Sequence, residues 1–210
     1  MVSQEELAEM MLSLQRRGCH NINLVSPTHV APYILEALEI AAGRGLKLPL
    51  VYNTGGYDSL EMLGLLDGII DIYMPDMKYS DDKVGEQLSG IRDYPKANRA
   101  AVKEMHRQVG NLQVDDSGVA QRGLLVRHLV LPNGLAGTGE IVSFLAREVS
   151  TDTYLNIMAQ YHPCYQAASI PQLARRITEA EYAEALESAH KQGIYRLDKD
   201  NLPLLRVTPG

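Results

Sequence analysis

Short apolar segments alternate along the chain with longer segments in which apolar residues recur every three or four positions. The first kind is typical of β-strands and the second of amphipathic helices. Strands are predicted at 21–27, 47–56, within 69–82, at 123–133 and at 152–163. Helices are predicted at 3–18, 30–42, 58–66, 81–89, 95–110, 137–149 and 178–192, followed by an extended tail that contains IYRL and LPLLRV. Strands separated by helices indicate βα units and a parallel sheet.

Most of the predicted strands have one polar face. In the segment IIDIYMPDMKYSDD (69–82), alternation places Ile70, Ile72, Met74, Asp76 and Lys78 on one side. The polar positions are Asn21, Asn23, Asn53, Asp76, Lys78, Arg127, Asn156, Gln160 and His162, and the opposite faces carry Ile22, Leu24, Leu50, Val126, Val130, Leu155 and Ile157. A doubly wound sheet is apolar on both faces, so the pattern favours a full or partial barrel with a polar lumen.

The fold class predicted is therefore α/β, as an open, partial TIM-like barrel in one domain over 1–210. Its core spans about 3–165, and 166–210 add a helix and the extended tail. Barrel active sites lie at the C-terminal ends of the strands, where Asn53, Asp76, Lys78 and His162 fall. Five strands are few for a barrel, and the chain begins with a helix, so a first strand is expected to be missing.

Composition narrows the class of protein. The 210 residues carry 20 basic and 26 acidic side chains, a net charge of −6 without a basic run, which argues against nucleic-acid binding. The sequence contains no apolar run long enough to span a membrane and starts unlike a signal peptide, so a cytoplasmic location is expected. Cys19 and Cys164 are too few for a disulfide framework or an iron–sulfur cluster.

Several residues at the strand ends are suited to chemistry, each with a simpler alternative. Asp76 and Lys78 can meet one bound molecule or form a rim salt bridge. Lys78 can hold a carboxylate or, if desolvated, act as a Schiff-base amine. Arg127, in mid-strand, needs an anionic ligand or an internal aspartate, and His162 is either a core histidine or a group that moves a proton near neutral pH.

Two loops offer backbone or hydroxyl groups. Ser26 and Thr28, in SPTH, can cap the following helix, or the helix start can bind a carboxylate. The glycine pair in YNTGGYD (52–58) fits a tight turn or the close approach of a ligand.

The segments GCHNINLVSPTHV, YNTGGYD, DIYMPDMKY, EMHRQVG, VRHLVLPN and QYHP occur in this order. Together they resemble the pyruvate formate-lyase activating enzyme family of the radical S-adenosylmethionine superfamily, in particular a branch of uncharacterised homologues. The D-x-K of DMK is the most specific piece. The resemblance implies a partial (β/α)6 barrel that binds S-adenosylmethionine beside a [4Fe–4S] cluster. Electron transfer from the cluster would cleave this cofactor into a 5′-deoxyadenosyl radical that abstracts hydrogen.

The resemblance also implies roles for individual residues. Asp76 and Lys78 match the pair that contacts S-adenosylmethionine, Arg127 matches an arginine that reaches the same ligand, and His162 matches a histidine at the cofactor. Asp76, Lys78 and His162 are the catalytic candidates. A monovalent cation is implied at Asn53, Thr54, Met74 and Asp76, although Asn53 stands where the family usually has Asp. Ser26 and Thr28 stand where the family often has a Gly-Gly-Glu-like turn.

One family feature is missing. The cluster of the family is bound by C-x3-C-x2-C, and this sequence contains no such triplet. We therefore expect an N-terminally truncated member that is inactive by itself. In the intact form, the resemblance implies a glycyl-radical-type protein or a small molecule as substrate, and flavodoxin or ferredoxin as electron donor.

Two other functions stay open. One is a barrel aldolase or lyase in which Lys78 forms a Schiff base and His162 or Asp76 carries the proton. The other is a non-catalytic scaffold that retains a ligand pocket.

Overall fold

A computed structural model describes residues 2–198. This part of the chain contains seven α-helices and six strands. The helices are α1 (Gln4–Arg16), α2 (Ala31–Gly43), α3 (Leu60–Leu66), α4 (Asp82–Ser89), α5 (Tyr94–Val109), α6 (Thr138–Phe144) and α7 (Glu179–Lys191). The strands are β1 (Ile22–Val25), β2 (Leu50–Thr54), β3 (Ile72–Pro75), β4 (Gln113–Val114), β5 (Ala120–Leu129) and β6 (Tyr154–Met158). Helices and strands alternate, except that α4 is followed by α5 and β4 by β5.

The strands form one open sheet. Its order is β1-β2-β3-β5-β6, all parallel, while the short β4 pairs antiparallel with the start of β5. The sheet does not close, and among the described residues β1 is an edge strand with Val25 66% exposed. A parallel sheet with helices that remains open confirms the predicted partial barrel.

Local sequence signals set the helix starts. Ser3 and Glu6 form a capping box at α1, and Thr178 and Glu181 form another at α7. Pro95 lies in the first turn of α5, where its missing N–H costs nothing.

The two faces of the sheet divide as the sequence predicts, with one exception. All seven residues assigned to the outer face belong to the main core between sheet and helices. Val51, Ile72 and Leu112 form a separate apolar cluster on the inner side, with Met74 beside them. Ile70 belongs to the outer core rather than to the face of Ile72, because it precedes β3 and does not follow the strand's alternation.

Other predictions needed correction in their bounds. Strands β1, β2 and β6 are shorter than predicted at both ends, whereas β5 begins three residues earlier, at Ala120, and ends earlier, at Leu129. The predicted helix 137–149 is α6 followed by a π-helical turn, Leu145–Val149. The prediction missed β4, which is only two residues long. In the tail, Leu197 makes a parallel bridge with Leu155, and LPLLRV lies outside the described residues.

None of the helices within residues 2–198 has the length and apolar character of a membrane span.

Candidate functional site

The C-terminal ends of β2, β3 and β5 bring four predicted residues together. Asp76 directly follows β3 and makes a parallel bridge with Arg127 of β5, and the Met77 N–H donates to the Arg127 carbonyl at 2.8 Å. On the other side, the Asp76 N–H donates to the Thr54 carbonyl at 2.9 Å. The backbone of Asp76 is therefore held between two neighbouring strands.

The side chains of these residues form one hydrogen-bonded group, the strand-end cluster of Asn53, Asp76, Lys78 and Arg127. The Nε and Nη2 atoms of Arg127 lie 2.9 and 2.7 Å from Asp76 Oδ1. The Lys78 Nζ donates to Asp76 Oδ2 at 2.6 Å. The Arg127 Nη2 also donates to Asn53 Oδ1 at 2.8 Å, so a single guanidinium joins three strand ends.

Charge and exposure suit this cluster to an anionic ligand. Its two cations face one carboxylate, so it carries one excess positive charge. The side chains of Asp76 and Arg127 are 17% and 26% exposed, while that of Lys78 is 43% exposed. Partial burial strengthens the attraction between a bound carboxylate and the cations, and the exposed ammonium of Lys78 is free to turn toward a ligand.

The internal pairing of Arg127 with Asp76 is the simpler alternative left open by the sequence, and the structure confirms it. The rim salt bridge of Asp76 and Lys78 is confirmed in the same way. These contacts do not test ligand binding. They show that the predicted residues lie together.

A second hydrogen-bonded group lies behind the end of β2, and the sequence analysis missed its centre. Asp58 is buried and accepts hydrogen bonds from the hydroxyls of Thr28 (2.7 Å), Thr54 (2.7 Å) and Tyr52 (3.2 Å). Burial, and next the charge of Asp58, raise the pKa of Tyr52, so its hydroxyl stays a donor. The YNTGGYD motif could have indicated this group, because its glycine turn brings Thr54 close to Asp58, four residues later.

The loop after β1 is organised differently from the prediction. Neither Ser26 nor Thr28 caps a helix: the 3-10 turn Pro27–Val30 and helix α2 both lack a side-chain cap. Thr28 donates to Asp58 instead, because this buried carboxylate is a stronger acceptor. Ser26 is exposed, has a left-handed backbone (φ 51°), and donates its N–H to the Asn53 carbonyl at 2.8 Å, which ties this loop to the strand-end cluster.

The two histidines have very different positions. His162 lies beyond β6, is exposed, and its Nδ1 is 3.4 Å from the Gln160 carbonyl. No hydrogen bond within residues 2–198 joins it to the strand-end cluster. His128, which the sequence analysis passed over, is fully buried, with Nδ1 2.7 Å from the Met77 carbonyl and Nε2 2.9 Å from Thr138 Oγ1.

The side chains at this end of the sheet decide whether the monovalent cation implied by the resemblance could bind there. Both oxygens of Asp76 and the Oδ1 of Asn53 already accept from Arg127 or Lys78, and two cations at this point repel a monovalent cation. Met74 packs on the apolar inner cluster. The geometry therefore gives the cation no support, and that site stays a prediction.

The residues present do not fit a [4Fe–4S] cluster. Cys19 and Cys164 are the two cysteines of the sequence, and both are free. Across the described range, no three His, Cys, Asp or Glu side chains are grouped so that they could bind a metal.

Comparison with solved structures defines the class of fold. A radical SAM methyltransferase from Sphaerobacter thermophilus superposes with a TM-score of 0.64 over 94% of this chain and 58% of its own, at 14% identity. A domain of pyruvate-formate lyase-activating enzyme from Bacteroides vulgatus ATCC 8482 superposes with a TM-score of 0.59 over 85% of this chain and 97% of its own, at 10% identity. The chain has the partial-barrel fold of radical SAM proteins.

Comparison by sequence gives a relative without an assigned function. An uncharacterized protein of Methanocaldococcus jannaschii is 33% identical over 197 residues, which are 92% of this chain and 52% of that protein. The chain thus spans about half the length of the curated relative it matches. No family model matches the chain.

Proposed function

We propose that this chain is part of a radical S-adenosylmethionine protein of the activating-enzyme type and binds S-adenosylmethionine at the strand-end cluster. The observation that carries the proposal is the position of Asp76, held between Arg127 and Lys78 at the C-terminal end of β3. Barrel enzymes bind their ligands at this end of the sheet. The fold shared with radical SAM proteins supports the same ligand.

The strand-end cluster matches the chemistry of this ligand. The methionine part has a carboxylate, which Lys78 and Arg127 can hold as cations. The lone pairs that remain on Asp76 Oδ2 and Asn53 Oδ1 can accept hydrogen bonds from the ribose hydroxyls. Ser26 and Thr28 lie at the neighbouring strand end, and His162 follows the last strand. We propose them as further contacts.

The radical chemistry belongs to the whole protein. A [4Fe–4S] cluster bound elsewhere in the whole protein would supply the electron for reductive cleavage of S-adenosylmethionine and so for hydrogen abstraction. The residues of this chain do not fit that cluster, so we propose that its ligands come from sequence outside these 210 residues. The M. jannaschii relative is about twice as long. A protein or a small molecule as substrate, and flavodoxin or ferredoxin as electron donor, remain proposals for the whole protein.

The geometry disfavours a Schiff-base aldolase or lyase. A Schiff-base lysine must be neutral, which requires a desolvated amine or a neighbouring cation. The Lys78 side chain is 43% exposed, so its amine is not desolvated, and its Nζ already makes a 2.6 Å contact with Asp76. A scaffold that binds S-adenosylmethionine without turnover would use the same site.

Titration of the chain with S-adenosylmethionine, followed by calorimetry, tests the proposal. Arg127→Gln should weaken binding at least about ten-fold, because it removes a charged contact. Arg122→Gln is the matched control: Arg122 is on the same strand, but its guanidinium donates to the Gln108 carbonyl, away from the cluster. Equal binding by both variants would contradict the site. Borohydride trapping of a carbonyl substrate on Lys78 would favour the aldolase instead.

A further inference from the structure

Helix α5 begins against the ends of β2 and β3, and the first residue of α5 contacts both. The hydroxyl of Tyr94 lies 2.9 Å from the Gly55 carbonyl and 3.0 Å from the Asp76 carbonyl. It also accepts the Lys78 N–H at 3.1 Å. Since a hydroxyl has one proton, the two carbonyls share it. Tyr94 thus touches the backbone on both sides of Met77, where the chain leaves the sheet.

One helical turn later, Asn98 makes a similar pair of contacts. Its Nδ2 donates to the Asp76 carbonyl at 2.9 Å and to the Gly56 carbonyl at 3.0 Å. The approach is so close that a Cβ on Gly56 would lie 2.2 Å from Nδ2 and 2.3 Å from the Asp76 carbonyl oxygen. Two donors from α5 therefore meet on one carbonyl, that of Asp76.

The amide oxygen of Asn98 shows that placing this side chain here lowers the stability of the fold. Asn98 is fully buried, and its Oδ1 has no hydrogen-bond partner among the described residues. A buried oxygen without a partner carries a desolvation penalty. An apolar side chain of similar volume would avoid that penalty. The amide is therefore suited to holding the two carbonyls rather than to maximal stability.

Tyr94 is fixed in place by its neighbours. It is buried, Tyr57 stacks on its ring at 6.3 Å between centroids, and Tyr79 meets it edge-on at 5.6 Å. Burial raises the pKa of the Tyr94 hydroxyl, so the hydroxyl remains protonated and able to donate. A fixed ring places its hydroxyl at one point relative to β3.

We infer that Tyr94 and Asn98 are positioning residues: they hold the Asp76 carbonyl and so direct the Asp76 carboxylate toward Arg127 and Lys78. The side chain and the carbonyl of Asp76 share one Cα, so a rotation that releases the carbonyl also moves the carboxylate. The inference rests on the proposed function only in naming S-adenosylmethionine as the ligand that this geometry serves.

Replacing Tyr94 with Phe removes the hydroxyl and keeps the packed ring. Tyr73→Phe is the matched control, because Tyr73 is a buried residue of β3 whose hydroxyl donates to Gln108 of α5 at 2.6 Å. Both variants lose one hydroxyl between the same strand and the same helix. Only Tyr94 is at the strand end. A role in stability alone would lower the melting temperature of both variants and leave the cluster in place.

Nuclear magnetic resonance of the chain reports on the cluster directly. The Arg127 Nε–H signal senses the bond to Asp76, and hydrogen exchange of the Lys78 amide senses the bond to Tyr94. In Tyr94→Phe we expect a shifted Arg127 signal and exchange of the Lys78 amide faster by about ten-fold, with affinity for S-adenosylmethionine lower by about ten-fold. Tyr73→Phe should leave all three close to the wild-type values.

The inference is overturned if Tyr94→Phe leaves the Arg127 signal and the Lys78 exchange unchanged. If Tyr94→Phe does not fold, Asn98→Leu takes its place, since it removes both hydrogen bonds of the Asn98 amide at similar volume, and the Arg127 signal then decides. A wild-type chain that gives no response to S-adenosylmethionine would count against the proposed function. The two signals would still decide on the positioning role.

Discussion

Arg127 and Asp76 are 51 residues apart in sequence, yet the guanidinium places Nε and Nη2 at 2.9 and 2.7 Å from one carboxylate oxygen. The same guanidinium reaches Asn53 on β2. This contact joins β2, β3 and β5 at the end of the sheet where the proposed ligand binds.

Asp76→Asn should lower the free energy of unfolding by about 1–3 kcal/mol, because it leaves a partly buried guanidinium without its counter-charge. Asp152→Asn is a control, since Asp152 pairs with Arg196 at 3.1 Å with a side chain that is 57% exposed. An exposed pair of this kind contributes at most about 1 kcal/mol. Urea unfolding compares the two variants. An equal loss in both would show that the Asp76 pair is no stronger than an exposed one.

Gly56→Ala tests the close approach of α5 to the β2 end. Gly56 has φ +76° and no room for a Cβ, whereas Gly68 has φ +79° with open space around it. Gly68→Ala should therefore lower the free energy of unfolding by only about 1 kcal/mol, the cost of a left-handed backbone at alanine. Gly56→Ala should cost at least about 2 kcal/mol more, because the helix must move as well. Thermal unfolding of both variants measures the difference, and similar losses would contradict the close contact.

His128 should make stability depend on pH. Burial lowers the pKa of its imidazole, while the unfolded chain keeps the ordinary value near 6.5. Below that value the unfolded chain binds a proton that the folded chain does not. The contribution of neutral His128 to the free energy of unfolding is therefore fully present above about pH 6.5 and is lost as the pH falls through the folded pKa.

His128→Asn removes this titration but keeps an N–H donor for the Met77 carbonyl. The difference in unfolding free energy between wild type and this variant should shrink as the pH falls from about 7.5 to about 5. A constant difference for His128→Asn would mean that another group carries the pH dependence.

Thr28→Val tests the hydrogen bond between the loop after β1 and buried Asp58. The two side chains have nearly the same shape, so the loss should be that of one hydrogen bond to a charged group, about 1.5–3 kcal/mol. Thr151→Val, at an exposed position, should change the unfolding free energy by less than about 0.5 kcal/mol. If the two variants unfold at the same urea concentration, Thr28 does not hold the loop.

Ser26 has a left-handed backbone (φ 51°) directly after β1. A non-glycine residue in this conformation is costly and is often found at a functional site. Its N–H donates to the Asn53 carbonyl, so its position agrees with a ligand site at the strand-end cluster.

The sequence by itself determined the order of strands and helices and the division between inner and outer faces. Both depend on local periodicity: Leu155 and Ile157 alternate with Asn156 because successive side chains on a strand point to opposite sides. It also indicated that Asn53, Asp76, Lys78 and His162 lie at one edge, because the C-terminal ends of parallel strands meet there. The place of Arg127 in the same site was implied by the family resemblance.

Only the tertiary structure decided which partners these residues have. Periodicity places Arg127 on the inner face but does not say that its guanidinium bonds both Asp76 and Asn53. Nothing local in Asn98 or Tyr94 indicates that they hold the Asp76 carbonyl, because that contact depends on where α5 crosses the sheet. Thr28 donates its hydroxyl to the buried carboxylate of Asp58 and does not cap a helix, because a desolvated carboxylate needs a hydrogen-bond donor more than an exposed helix start needs a cap.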